Sequence, residues 1–479
     1  MAPLRSHNCT IRGPAPPDLH VARNGSLPGH QAPFPLGGLF ADTPMSFLTP
    51  EKAVRALLHQ LAPQLPVERI EPIPSAGVQQ LYIIHLINKT PLLLALPPPP
   101  DVKPLRCERG SIAAEVALLK WLSNSISDKP GMGRYNGKAK WTTSGYQHQD
   151  TATLLQESGS VTPPPIDNYL KGFAPRLVQH SLPQSETNSP ELILTDPPAG
   201  TTISTIQAPI GTEEQKSVDR QAGHLFRRIS CHVSPTGNFG YAVDVLRRNS
   251  QMPVARFHHD STTPPSDTGF PTWSQAFHLL LESVLRDLED TWVQISYRTV
   301  RAHFERLRHL LDRVKRPSLV AIEGGEETNL LVSVPGGSSE IQDLRSRELG
   351  KGPNGAVPGG LGGSGGTKVT GLRDWSNCIF GDPLIALRFA NRPSQEFLEG
   401  LNTPIGDSDP FDHAGVIEDR AHAPERLALY ECYHSLCGIA RQYRRPRDVE
   451  VDMELYWRKR LQDSLASLST LGGEGDSPQ

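Results

Sequence analysis

The chain has 479 residues, 37% of them hydrophobic, with 45 prolines, 41 glycines and a net charge of −3. It is too long for one ordinary core, and its turn-former content predicts roughly two to four ordered units diluted by loops. The near balance of charge excludes a global field for holding nucleic acid or an anionic membrane. Six cysteines, Cys9, Cys107, Cys231, Cys378, Cys432 and Cys437, are scattered without a CxxC pair, which fits reduced thiols in an intracellular protein. The opening MAPLRSHNCTIRGPAPP lacks the apolar run of a secretory signal. The longest apolar stretch, LYIIHLINKTPLLLAL, is broken by His85, Asn88 and Lys89, so no membrane span is predicted and the expected location is the cytoplasm.

Residues 1–46 are rich in Pro, Gly and His without periodicity and are expected to be a disordered tail. TPEKAVRALLHQL then predicts a helix, with Thr49 as cap, Pro50 in the first turn and Val54, Leu57, Leu58 and Leu61 on one face. GVQQLYIIHLI and TPLLLALP, parted by Asn88-Lys89, read as a hairpin, and SIAAEVALLKWL as a helix flanked by Glu115. Residues from about 125 to 170 are polar and aperiodic, as expected of an insertion.

Order is expected to return with APRLVQHS and the strand of PELILTDPPAG. RQAGHLFRRISCHV predicts a short helix and WSQAFHLLLESVLRDL a longer one. RTVRAHFERLRHLLDRVKR has apolar residues at 300, 304, 307, 311 and 314, and a basic opposite face that reads as the solvated side of a packed helix. PSLVAIEGG and NLLVSV read as a strand pair, followed by a Gly-rich insertion at about 335–367, the strand VTGLR, and two C-terminal helices parted at Arg445-Pro446. Strands with a helix thus precede a mainly helical part, which implies two lobes, 47–195 and 196–470, and a polar tail at 471–479.

The segment VTGLRDWSNCIFGDPLIALRF resembles the strand, Asp-Trp or Asp-Phe, and Gly-Asp-Pro run of the aminoglycoside phosphotransferase family, in particular its fungal branch. IEPIPSAGVQQLYIIHL, the PPPP before AAEVALLKWL, SPTGNFGYA and LALYECYHSLCGIARQYRRPRD support the resemblance in collinear order. It implies a protein-kinase-like α+β fold, with a small β-rich N-lobe, a larger helical C-lobe and an ATP cleft between them. It also implies phosphoryl transfer to a hydroxylated small molecule, with no nucleic-acid or membrane partner. Positioning and electrostatics are nearly the whole of that chemistry.

On the family pattern, Asp374 holds Mg²⁺ and Asn329 adds a second metal contact, since this hard cation takes few protein carboxylates. Glu115 corresponds to the helix glutamate that normally pairs with a strand lysine. Gly77 lies in the phosphate turn, and the main chain near Thr195, Asp196 and Pro197 meets adenine. Two parts of the pattern are broken. The catalytic aspartate belongs five positions before Asn329, where Gly324 stands, and Glu323 is the nearest substitute base. Leu94 and Ala95 occupy the lysine position, and Lys103 or Arg106 would have to reach in from beyond the prolines. Two functions follow: an ATP-dependent phosphotransferase with a degenerate catalytic loop, or an inactive kinase-like binding protein.

Overall fold

The first described segment alternates strands and helices because its apolar residues do. The computed structural model describes residues 50–75, 77–87, 89–100, 102–108, 110–127, 169–182, 190–206, 210–246, 269–334, 366–406, 409–411, 415–445 and 451–471. The tail at 1–46, most of the insertion after 127, residues 335–365, the last eight residues, Cys9 and the His258-His259-Asp260 triplet lie outside these.

Helix α1 (Pro50–Leu61) is followed by strands β1 (Val67–Ile73), β2 (Gln80–Leu86) and β3 (Lys89–Leu96), then helix α2 (Ser111–Ser127), β4 (Arg176–Ser181) and β5 (Leu192–Asp196). The strands form one antiparallel sheet in the order β1-β2-β3-β5-β4. Alternation splits the sheet's side chains between two cores. Ile70, Tyr82, Ile84, Leu94 and Leu194 join Val54 and Leu58 of α1 on the outer face. Leu81, Leu93, Ala95 and Ile193 on the inner face join Ile112, Val116 and Leu119 of α2 in the main core, which continues into the helical part. The hairpin was expected; β1 was not. VERIEPI lies at the sheet edge, where only Ile70 is buried, so its sequence carries charges rather than an apolar period.

The helical part contains β6 (Thr201–Thr202), α3 (Thr212–Ser230), β7 (Gly240–Tyr241), α4 (Ala242–Leu246), α5 (Trp273–Asp290) and α6 (Tyr297–Leu311). Next come β8 (Ser318–Ala321), β9 (Leu330–Ser333), β10 (Lys368–Leu372), β11 (Cys378–Gly381), α7 (Leu387–Ala390), α8 (Gln395–Asn402), α9 (Ala423–Arg444) and α10 (Val451–Thr470). Helix α3 is 19 residues, longer than its apolar pattern suggested, because its first turns are polar and Val218 is its first buried residue. Helices α3 and α8 cross backbone to backbone: a Cβ on Gly223 would strike the Phe397 carbonyl, and one on Gly400 the Arg220 carbonyl.

The expected pair of β8 and β9 does not form. β8 pairs with β11, whereas β9 lies between β10 and β6. Both are short and buried almost throughout, so neither has the alternation that would specify a partner. The basic face of α6 is engaged: Arg301 pairs with Glu282 and Glu289, Arg308 with Glu305, and Arg306 donates to the Leu468 carbonyl. Cys107, Cys231, Cys378, Cys432 and Cys437 are free thiols. No helix among the described residues is long and apolar enough to cross a membrane.

Candidate functional site

Strand β10 delivers Asp374 to the place where the sheet meets the helical part. The Arg373 N–H donates to the Asn329 carbonyl at 3.0 Å, extending the β9–β10 ladder one step. The Asn329 side chain then locks the turn. Its Oδ1 accepts from the Arg373 and Asp374 N–H groups at 3.0 and 2.8 Å, and its Nδ2 donates to the carbonyls of Asp374 and Glu323 at 3.0 and 3.4 Å. A carbonyl oxygen has two lone pairs, and both are taken. Asn329, the expected metal ligand, is bonded through both ends of its amide and holds Asp374 against the loop carrying Glu323.

The half-buried Asp374 carboxylate is itself divided. Oδ1 accepts from the Ser376 N–H at 2.7 Å, a local Asx turn. Oδ2 faces Gly77: a Cβ at that glycine would lie 3.3 Å from it. Gly77 donates to Ser75 Oγ at 3.1 Å, which sets the turn. A cavity of about 450 Å³ opens beside it, lined by Ser75, Gly77, Gln79, Val102 and Arg445 among others.

Glu115 is buried in α2 and accepts from the Trp375 N–H at 3.4 Å, so it sits one residue from Asp374. Burial first, and the Asp374 charge second, hold its carboxyl well above the ordinary range; the Trp375 N–H and Gln79 pull the other way. Burial also raises Asp374. Among the described residues no lysine relieves this pair, although the Arg373 charge pulls the Asp374 carboxyl down in part. Ala95 faces the same core and supplies a methyl group, and Leu94 points to the opposite face. Arg106 is committed to α5, its Nη1 lying 2.6 Å from Asp287 and 2.8 Å from Asp290. Lys103 is exposed.

The loop between β8 and β9 holds three glutamates. Glu323 is ion-paired with Arg441 of α9, whose Nε also lies 3.1 Å from Glu108. Glu108 in turn pairs with Arg445. Arg441, which sequence reasoning missed, thus covers the candidate base. The one available signal was an arginine in the last turn of a helix that is buried along most of its length. Glu326 is pushed up to about 7 by burial and by the neighbouring Glu323 charge. Gly324, at the expected aspartate position, has no room for a side chain: a Cβ would lie 2.9 Å from Ala321 Cβ and 3.0 Å from Leu372 Cδ1.

The connector leaves the sheet at the end of β5. Thr195 is inside the ladder, opposite Leu93 and Leu177, and its Oγ1 donates to the Leu93 carbonyl at 3.4 Å. Asp196 pairs with Arg176 at 3.3 Å. The chain then runs through Pro197 to Gly200, where a Cβ would lie 2.7 Å from both Thr370 Oγ1 and the Val332 carbonyl. Connector and Asp374 strand therefore pack together, and Gly77, Glu115, Asn329 and Glu323 gather around the end of that strand.

Among the described residues no group of three or more His, Cys, Asp or Glu is arranged to hold a metal ion. What the site offers a hard cation is Asp374 Oδ2 with Glu115 nearby, which suits an ion that takes one or two carboxylates and completes its shell with phosphates and water.

No family model and no curated protein matches the sequence. Among solved structures, the chain is similar to a thermostable mutant of aminoglycoside phosphotransferase APH(4)-Ia bound to AMP-PNP and hygromycin B, with 11% identity and a TM-score of 0.44 over 88% of this chain and 99% of that one. It is also similar to a mutant aminoglycoside 2'-phosphotransferase-IIIa in complex with GDP, with 11% identity and a TM-score of 0.45 over 89% of this chain and 100% of that one. The chain's own architecture is an α+β fold, a five-stranded antiparallel sheet with α2 on its inner face followed by a mainly helical part.

Proposed function

We propose that this chain is a kinase-like binding protein whose cleft holds a nucleotide without transferring its phosphoryl group. One observation carries the reading: the loop that should present a general base has Glu323 ion-paired with Arg441 and a Gly324 with no space for a side chain. Proton acceptance from a hydroxyl is worth about 10² to 10⁴ in rate and needs the carboxylate within hydrogen-bond reach of that hydroxyl, whereas the Glu323 carboxylate is held against Arg441. The missing strand lysine acts in the same direction, because Ala95 contributes nothing to charge neutralisation on a triphosphate.

Asp374 Oδ2 is the atom that would hold Mg²⁺, and the ion would supply neutralisation of phosphate charge. The protein's own contributions are then positional. Asn329 fixes the Asp374 main chain, Ser376 orients its carboxylate, Glu115 secures the Trp375 N–H, and the Gly77 turn closes over the oxygen.

The second reading is an ATP-dependent phosphotransferase acting on a hydroxyl of a small molecule. It is favoured by the proximity of Glu323 to Asp374, close enough for the Glu323 charge to help raise the Asp374 carboxyl. ADP formation from ATP and Mg²⁺, measured across aminoglycosides, sugars and amino alcohols, separates the two. The expected result is no release above the blank; turnover that disappears in Asp374→Ala would overturn the binding-protein reading.

A further inference from the structure

Cys107 and Cys437 are far apart in the chain and meet where the sheet side joins the helical side. Cys107 is the middle residue of the turn Arg106–Glu108 that precedes α2, and Cys437 lies on α9. Both neighbours of Cys107 are tied to one side of that helix. Arg441 Nε donates to Glu108 at 3.1 Å, and Arg445 pairs with the same carboxylate. Arg106 lies 2.6 Å from Asp287 of α5, which also holds Arg444 at 2.8 Å. Cys437, Arg441, Arg444 and Arg445 recur at helical spacing and so share a face. The turn docked on that face brings Cys107 to Cys437, and the two thiols are hydrogen-bonded to each other. The Tyr241 and Tyr433 phenols each lie close enough to feel both sulfurs, which places the pair in a single side-chain pocket.

Both are free thiols, Cys107 half-buried and Cys437 buried, and nothing in the nucleotide reading uses them. The Cys107 thiol is held well above its ordinary range, first by the bond to Cys437 and then by burial. It ionises little, so its oxidation is slow. What the fold supplies is proximity. A sulfenic acid formed on one sulfur meets the other thiol before it meets a second oxidant molecule, and the disulfide length of about 2.05 Å asks only a small further approach of two atoms already in contact.

We propose that Cys107 and Cys437 are a redox modification site, at which a two-electron oxidant of the peroxide class converts the thiol pair to a disulfide that staples the turn before α2 to α9. The Cys107 sulfur gives two electrons to the peroxide, forming a sulfenic acid and one water. The Cys437 sulfur then attacks it, making the S–S bond and releasing the second water. The disulfide closes a long loop, so the oxidised chain is the more stable form. It also fixes the end of α9, which carries Arg441 over Glu323 and Arg445 into the wall of the Gly77 cavity. The inference stands apart from the nucleotide reading and does not depend on it.

The test keeps the full wild-type chain in excess hydrogen peroxide, alkylates the remaining thiols under denaturing conditions, and maps the unreduced digest by mass spectrometry. The Cys107 and Cys437 peptides are expected as one cross-linked species that dithiothreitol separates. The oxidised chain should melt above the reduced one, with slower amide exchange in both the 104–110 and 437–445 segments, and dithiothreitol should reverse both changes. Recovery of both cysteines as alkylated thiols, sulfinic or sulfonic acid at Cys107 without the cross-link, or a cross-link to a different cysteine overturns the proposal. A cross-linked chain whose Tm is no higher than that of the reduced chain overturns the staple. In Cys437→Ser the sulfenic acid has no resolving thiol, so dimedone should label Cys107 in this variant and not in wild type; equal labelling of the two chains counts against the assigned roles.

Discussion

Glu326 carries a measurable pH signature. Its carboxyl is raised to about 7 by burial and by Glu323, so the folded chain holds a proton there that the unfolded chain releases at the ordinary glutamate value. The sign follows from linkage: this stability is fully present below the ordinary value and is lost as pH rises through about 7. Glu326→Gln removes the dependence, so its Tm should exceed that of wild type at about pH 8 and converge with it toward about pH 5. Equal slopes for the two chains would contradict the assignment. At Gly324, introducing the aspartate that the resemblance implies should not produce transfer. The new Cβ meets Ala321 and Leu372, so Gly324→Asp is expected to destabilise by about 1–3 kcal/mol and to release no ADP. Gain of turnover in that variant would show that the loop has more room than its packing implies. Residue identity announced the loss of the aspartate and the lysine; it did not announce that Arg441 covers Glu323, because that contact joins positions far apart in the chain.

Among the elements, β11 and α9 are joined through the Gly-Asp-Pro turn. Asp382 is fully buried; its Oδ2 meets Arg426 Nε at 2.8 Å and Tyr430 Oη at 2.9 Å, and its Oδ1 accepts from the Leu384 N–H at 3.1 Å. Tyr430 also accepts from Trp273 Nε1 at 2.7 Å, which brings in α5. Removing one partner of a buried pair strands the other charge. Asp382→Ala is therefore expected to lose about 3–5 kcal/mol in denaturant unfolding. A loss below about 1 kcal/mol would mean that the carbonyls of Glu418 and Asp419, to which Arg426 already donates, are enough to hold its charge. Helices with a strong apolar stripe, α5 and α6, were legible in the sequence because burial repeats with the helical period. Strand pairing was not. β8 and β9 are buried almost throughout, and the choice between pairing with each other and pairing with β11 and β10 depends on how the 322–329 turn packs.

For the molecule as a whole, the end of α9 ties the sheet side to the helical side. Arg441 pairs with Glu323 and Glu108, Arg444 with Asp287 and Asp290, and Arg445 with Glu108. Glu108 lies between β3 and α2, so this cluster spans the boundary near Gly77. Arg441→Met leaves two partly buried carboxylates without their shared cation and should lower stability by about 2–5 kcal/mol. It should also raise amide exchange in both the 104–110 and 322–329 segments. Exchange that rises in one segment alone would show that Arg441 does not couple them.

Composition and periodicity were enough to identify an α+β chain with a sheet-bearing first part and a mainly helical second part, because apolar repeats are local properties of the chain. The Asp374 segment, and the departures at Gly324, Leu94 and Ala95 from the pattern that the resemblance implies, were likewise visible in the sequence. Tertiary structure alone decided what those residues touch. It bonded both ends of the Asn329 amide to the main chain, set Glu115 and Asp374 together around Trp375, and closed Glu323 under Arg441. Each of these depends on burial and on partners distant in sequence, and a charge's chemistry is set by its surroundings rather than by its own identity.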